Sequence, residues 1–387
     1  MSKMLKLKEP KIKHVDSDIV SLLDMEEGKL MDQGSYGQVN LLHKIGNKAH
    51  KEALKQMYAL TRDQARENSQ RFRHEVAVLQ ALKHPNIIKM KMAVQGPNYL
   101  GIIMEFMPFN LRDDLEYLTD TQARSYFSQL TDALCYLHDR RVIHGDLKLD
   151  SVLEDRDDVV KLCEFGIAQI LPLTSDKPPN GWNGDSKYQP PEVYNSSLVQ
   201  NAFKMETFSF GILAWAIFFR THPHPSCDYL GKVTTSKRLK PAHRECLRLL
   251  LAHSPEQRAT IFEIRDVLTQ ESQAEAQQPA TPSSVDTTRS LSETTDPSSD
   301  NNSPSSPHPK EEQAKSWKIP VLIGHQSESD CREERRARAA DPEIAYFVEM
   351  FKATHNTQPE HELLFSSSDW DYPFSPFLGL DLCWEEK

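Results

Sequence analysis

The sequence predicts an α+β unit of two lobes, a small sheet-rich one and then a larger helical one, spanning about residues 25–270 of 387. Three observations carry that reading. Residues 30–60 alternate apolar and polar side chains around a glycine-containing turn, the period of half-buried strands. From Leu111 onward the apolar positions fall at helical intervals, with Ala123, Phe127, Leu130, Ala133, Leu134 and Leu137 on one face. The third observation is a break in composition. Residues 271–387 carry 22 acidic against 10 basic side chains, so the first 270 residues keep a net charge of only +2. Hydrophobic residues are 38% of the chain, below the roughly 45–50% of an average globular domain, and the shortfall belongs to that acidic part.

Residues 1–24 form a basic N-terminal extension. Its opening MSKMLKLKEPKIKH has no apolar stretch behind it, and the longest apolar run, Phe210 to Phe219, is half the length of a membrane span. No membrane span and a cytoplasmic setting are therefore expected. Arg62 to Leu82 places Phe72, Val76 and Leu79 at helical spacing, and Leu100 to Phe106 reads as a buried strand. Residues 271–316 are expected to be a disordered linker, since positions 271–310 hold 21 Ser, Thr and Pro and no apolar period survives there. Residues 317–387 are expected to be mostly disordered as well, with short docking islands at Ile319 to Gly324, residues 341–351 and Leu363 to Trp384. The cysteines form no CxxC or CxxH pattern, so neither a zinc site nor a disulfide framework is suggested. A near-neutral front segment lacks the basic stripe that nucleic acid requires, and no nucleic-acid partner is expected.

The chemistry lies in a constellation of motifs. Residues 34–39 read GSYGQV in the turn of the first hairpin, Lys55 follows on the next strand, and Glu75 lies on the helix beyond it, at a spacing where the two charges can meet. Further on stand HGDLKLDS at 144–151, CEFG at 163–166, PPE at 190–192 and Arg258. In order and spacing these resemble the protein-kinase superfamily, which implies the two-lobed protein-kinase fold and ATP as cofactor.

The resemblance assigns roles residue by residue. Gly34 and Gly37 would let the hairpin backbone approach the nucleotide phosphates without a Cβ in the way. Lys55, held by Glu75, would neutralise the α and β phosphates. Asp146 would accept the proton of the substrate hydroxyl, and Lys148 would offset charge on the γ-phosphate. Val39 and Ala53 above and Leu153 below would sandwich the adenine, with the backbone of Glu105 to Met107 at its edge and Met104 as gatekeeper. Leu79, His144 and Phe165 would form the apolar stack between the lobes, and Glu192 would pair with Arg258 deep in the helical lobe.

Four departures from the family pattern, and the further drift at Glu206, bear on activity. The two metal positions are degenerate: Glu164 stands where an aspartate is usual and Ser151 where an asparagine is usual. Magnesium demands near-ideal octahedral geometry, so an added methylene and a lost amide oxygen leave Mg²⁺ or Mn²⁺ doubtful. Asp32 brings a negative charge to the start of the glycine-rich loop. Gly145 replaces the arginine before the catalytic aspartate, so ordering of the activation segment by phosphorylation is not expected. Glu206 stands where an aspartate normally braces the catalytic loop.

The favoured expectation is a pseudokinase or severely impaired Ser/Thr kinase acting as a scaffold or regulator. An active Ser/Thr kinase and an adaptor working through its tail are the alternatives. LGIIMEFMPFNLRDDL at 100–115, YQPPE at 188–192 and FSFGILAWAIF at 208–218 are similar to the tyrosine-kinase-like group, most of all the receptor-interacting kinases. That likeness implies stress, immune or cell-death signalling, with other signalling proteins as partners through the helical lobe and the tail. Val321, Leu322, Ile323 and Gly324 resemble the core of an amyloid-forming homotypic motif found in some of those kinases; the plainer reading is a docking island.

Overall fold

The computed structural model describes residues 4–15, 24–34, 37–57, 62–96, 99–195 and 200–276. The linker beyond residue 276, the tail islands and Val321 to Gly324 lie outside the described residues.

Six strands form the sheet of the first lobe: Ile12–His14 (β1), Met25–Gly34 (β2), Gly37–Lys44 (β3), Asn47–Met57 (β4), Met90–Gln95 (β5) and Leu100–Glu105 (β6). Their order is β1-β5-β6-β4-β3-β2, with β1 parallel to β5 and the other pairs antiparallel. The alternation read over residues 30–60 is thus a three-stranded meander. Helix α1 (Arg62–Ala81) lies on this sheet and buries Phe72 and Val76 completely, the face set by their helical spacing.

The second lobe contains Phe109–Asn110 (β7), Leu111–Asp114 (α2), Asp120–Asp139 (α3), Val142–Ile143 (β8), Val152–Glu154 (β9), Val160–Leu162 (β10), Gln169–Ile170 (β11), Ala202–Phe219 (α4), Tyr229–Thr235 (α5), Pro241–Leu250 (α6) and Ile261–Ala276 (α7). A reciprocal cap starts α3: the Gln122 N–H donates to Thr119 Oγ1 at 3.1 Å, and the Thr119 N–H donates to Gln122 Oε1 at 3.0 Å. Helix α4 is apolar on every side because it runs through the middle of the lobe, where Phe210 stacks on Phe127 of α3 at 5.4 Å. It is long and apolar enough to cross a membrane by composition, yet most of it is buried among the other helices.

Two parts of the chain differ from their expected character. The described part of the basic extension, residues 4–15, is built into the fold. Ile12–His14 adds a strand to the sheet, the Lys11 N–H donates to Gln80 Oε1 of α1 at 2.9 Å, and the Leu5 N–H donates to the Arg140 carbonyl at 2.9 Å in the second lobe. At the other end α7 continues through Ala276, six residues into the expected linker. Helix propensity and a tertiary contact together extend it, since the surrounding residues are good helix formers and Glu271 lies 3.5 Å from the buried His243 of α6.

Glu192 and Arg258 meet as a fork, Nη1 to Oε1 at 2.6 Å and Nη2 to Oε2 at 3.0 Å, with both side chains fully buried. The remaining guanidinium protons go to the carbonyls of Ala252, Lys204 and His253. Such a pair is costly to break because the survivor is a buried charge. Arg258→Met is expected to cost about 3–5 kcal/mol of stability, to be measured by urea unfolding of the full chain.

Candidate active site

The first wall of the site is set by strand register. Val39 sits opposite Lys55 across β3 and β4, and Ala53 sits opposite Met104 across β4 and β6. Gly37 is required by a close approach: a Cβ there would lie 1.9 Å from the Gln56 carbonyl oxygen. Gly34 pairs with Gly37 at the hairpin end, whose tip lies outside the described residues. From the next turn of this sheet Lys55 reaches α1 and donates to both carboxylate oxygens of Glu75, at 2.8 and 2.9 Å. Burial works against the lysine charge, but Glu75 and then Glu164 outweigh it and hold the Lys55 pKa above its ordinary value.

The hinge uses Glu105 in an unforeseen way. Its carboxylate takes Lys161 Nζ at 2.9 Å and the Lys89 N–H at 2.8 Å, and its own N–H donates to the Lys89 carbonyl at 3.0 Å. Only its carbonyl is left for an adenine edge, together with the backbone of the buried Met107. Leu153 of β9 is half-buried on the opposite side of the hinge, beside Asn110 in register.

The catalytic-loop residues are held by buried hydrogen bonds. His144 Nε2 donates to the Cys163 carbonyl at 2.8 Å, and its Nδ1 accepts the Asp146 N–H at 3.3 Å, which assigns the ring proton to Nε2. The ring also packs edge-on against Phe165 at 4.8 Å, with Leu79 buried in the same core. Gly145 has φ +81°, in the left-handed region, and its N–H donates to Glu206 Oε1 at 2.9 Å. Glu206 therefore does brace the loop. Its second oxygen takes His138 Nε2 at 2.8 Å, so the longer side chain is absorbed by burial between two donors.

Asp146 and Lys148 face each other, Oδ2 to Nζ at 2.7 Å. The other oxygen, Oδ1, accepts the Asp185 N–H at 3.0 Å. Lys148 also approaches Glu164 at 3.8 Å, so one lysine stands between two carboxylates. Desolvation pushes the Glu164 carboxyl above the usual range, with Lys55 and Lys148 pulling it back. Glu164 itself adopts φ +65° and ψ +58°, a conformation that costs a residue with a Cβ about 1–2 kcal/mol.

Ser151 is fully buried and turns its hydroxyl into its own loop. Its buried hydroxyl donates to the Lys148 carbonyl at 2.8 Å and accepts the Lys148 N–H at 3.1 Å, closing the turn of residues 148–151 on itself. Lys55, Glu75, Asp146 and Lys148 suit a nucleotide triphosphate; the donor set does not suit a pair of magnesium ions. Among the described residues no group of three or more His, Cys, Asp or Glu side chains converges on one point, and Glu164 is the one carboxylate in place of the usual metal ligands.

The activation segment carries two features that the motifs did not reveal. Arg141, at φ +62°, donates through Nη2 to the carbonyls of Pro172 and Ser175 at 2.6 and 2.8 Å and to Asp176 Oδ1 at 2.8 Å. Asp176 also accepts Asn201 Nδ2 at 3.2 Å, and its carbonyl accepts the Ala202 N–H at 2.7 Å at the start of α4. A fixed carboxylate and an arginine four residues before Gly145 thus order a segment that phosphate would otherwise order. The doubled arginine in HDRRVIHGD was the available signal. The Asp185 contact is made by backbone and left none.

A family model for the protein kinase domain matches residues 25–269, and the chain belongs to that family. Curated relatives include the mitogen-activated protein kinase kinase kinase MST11 of Pyricularia oryzae, 29% identical over 248 residues that cover 56% of this chain and 26% of that protein. NUAK family SNF1-like kinase 2 of Homo sapiens is 24% identical over 249 residues, 60% of this chain and 38% of its own. Serine/threonine-protein kinase STK11 of Gallus gallus is 25% identical over 254 residues, 62% and 58% respectively. The chain spans less than two thirds of the length of each of these. Their names point to other kinase branches than the receptor-interacting one that the short matches at 100–115 and 188–218 suggested, and the likeness to that branch is corrected accordingly.

Asp176→Ala is expected to speed amide hydrogen exchange across residues 171–185 while leaving the melting temperature nearly unchanged, whereas phosphatase treatment of the wild type should alter neither. Cys163 is buried, and burial with the adjacent Glu164 pushes its thiol well above the ordinary cysteine range. In iodoacetamide labelling at neutral pH followed by peptide mass spectrometry, Cys163 should react more slowly than the partly exposed Cys227.

Proposed function

We propose that this protein is a cytoplasmic signalling scaffold of the kinase family that binds ATP through Lys55 and whose transfer of phosphate to Ser or Thr is severely impaired. The engagement of the Ser151 hydroxyl with Lys148 carries this reading. It supports a site with one carboxylate, Glu164, in place of two metal ligands, and the loss of metal-assisted charge stabilisation is worth about a thousandfold or more in rate. Nucleotide binding is supported by the closed Lys55 and Glu75 pair, which keeps the lysine cationic beside the space for the phosphates. Partners would then read the conformation of the domain, with ATP as a stabilising ligand.

A second reading, a working Ser/Thr kinase, is favoured by the same assembled pair together with Asp146 and Lys148 at 2.7 Å. Phosphate transfer with Mg²⁺ or Mn²⁺ separates the two. The impaired reading expects little transfer from the wild type, ATP binding that Lys55→Met abolishes, and transfer raised about a hundredfold or more by Ser151→Asn with Glu164→Asp. Vigorous wild-type transfer that Asp146→Asn removes would establish the working kinase.

A further inference from the structure

On the back of the first lobe, away from the nucleotide cluster, lies an open cleft of about 1160 Å³. One wall is the N-terminal strand β1 with its pairing partner β5; the other is the C-terminal end of α1 and the connection through residues 83–89. The cleft therefore exists because the basic extension is folded onto the lobe, held by the Lys11 and Gln80 contact and by the ion pair of Arg73 with Glu9 at 3.5 Å.

Its lining is one-sided in charge. Six lysines and His84 line it, and no carboxylate does. Lys91 and Lys161 are paired from outside the cleft, with Glu52 at 2.8 Å and Glu105 at 2.9 Å. Lys11, Lys13, Lys83 and Lys89 are exposed and make no ion pair among the described residues. Four uncompensated cations from two separate segments repel one another around a common space, and an anionic occupant relieves that repulsion. Met90 and Met92, both half-exposed, also line the cleft, Met90 packed against the main core and Met92 against the cluster of Met25, Leu42 and Leu54, and methionine adapts to varied apolar side chains.

The chemistry of the lining selects among anions. A bilayer surface is flat, and these lysines ring a concavity. Single-stranded nucleic acid is gripped by aromatic stacking, and no Phe, Tyr, Trp or Arg lines the cleft. The lining holds no arginine fork, so its lysine ammonium groups act as point charges that single carboxylates can meet, and the apolar surface between them suits a peptide better than a bare phosphate ion.

We propose that this cleft is a docking site for an extended acidic peptide of a partner protein, whose Asp or Glu side chains meet the lysine rim and whose intervening apolar side chains rest on Met90 and Met92. Such a site recruits a partner without touching the nucleotide cluster, so it serves a scaffold and a working kinase alike.

The test is fluorescence anisotropy on the full chain with a labelled peptide of alternating glutamate and leucine, a matched peptide of glutamine and leucine, phosphatidylserine vesicles and a single-stranded oligonucleotide. Saturable binding of the glutamate peptide is expected, lost with the glutamine peptide and weakened by about tenfold or more in Lys11→Glu/Lys13→Glu/Lys83→Glu. The variant should keep the wild-type melting temperature and ATP affinity, which separates failure of docking from failure of the fold or of the nucleotide reading. No binding of the glutamate peptide to the wild type, binding equal in the variant, or binding by the vesicles or the oligonucleotide alone would overturn the proposal.

Discussion

The ion pair of Lys55 with Glu75 is the constraint from which the rest of the site follows. Glu75 is 1% exposed, and a carboxylate so buried must keep its partner, since losing one member of such a pair costs about 3–5 kcal/mol. The pair fixes α1 against β4. With α1 in that position His74 donates to the Ala168 carbonyl at 2.6 Å, and Phe165 is buried beside His144 and Leu79. One charge pair thus couples the sheet, the helix and the segment from residue 163 to 168, and the two lobes share a single apolar core as a result.

Three glutamates or serines stand where shorter or amide-bearing side chains are usual in the family, and the structure treats them differently. Glu206 takes up its extra methylene and still braces the catalytic loop, because two donors, the Gly145 N–H and His138, meet its two oxygens in a fully buried place. Glu164 has no such pair of donors. It sits in a left-handed backbone conformation, disfavoured by desolvation and pulled between Lys55 and Lys148. Ser151 is shorter than the residue it replaces and folds back on its own turn. The same kind of substitution is thereby structural in one place and chemical in the others, according to the partners each meets.

The activation segment is tied down by fixed charges. Arg141 gathers three acceptors of residues 172–176, and Asp176 joins that arginine to the start of α4. With Gly145 unable to read a phosphate, the hydrogen bonds that hold this segment come from side chains of the unmodified chain. The segment also reaches the catalytic loop, where the Asp185 N–H occupies one oxygen of Asp146. That carboxylate therefore has one oxygen on a backbone donor and the other on Lys148.

The fold was legible in the sequence because its determinants are local and periodic. Helical spacing of Phe72, Val76 and Leu79, the apolar face of α3 and the all-round apolar character of α4 each report burial directly, and the lysine, glutamate, aspartate and arginine of the motifs are recognisable from their order. Tertiary structure decided what depends on partners far apart in the chain. That β1 joins β5 in a register 81 residues apart, that the Ser151 hydroxyl turns into its own loop, that Glu206 reaches and Glu164 is strained, and that Arg141 finds Asp176 are matters of which atoms come within hydrogen-bond distance. Residue type and spacing carry periodicity and charge; the geometry of hydrogen bonds and the desolvation of charges arise only when distant segments pack.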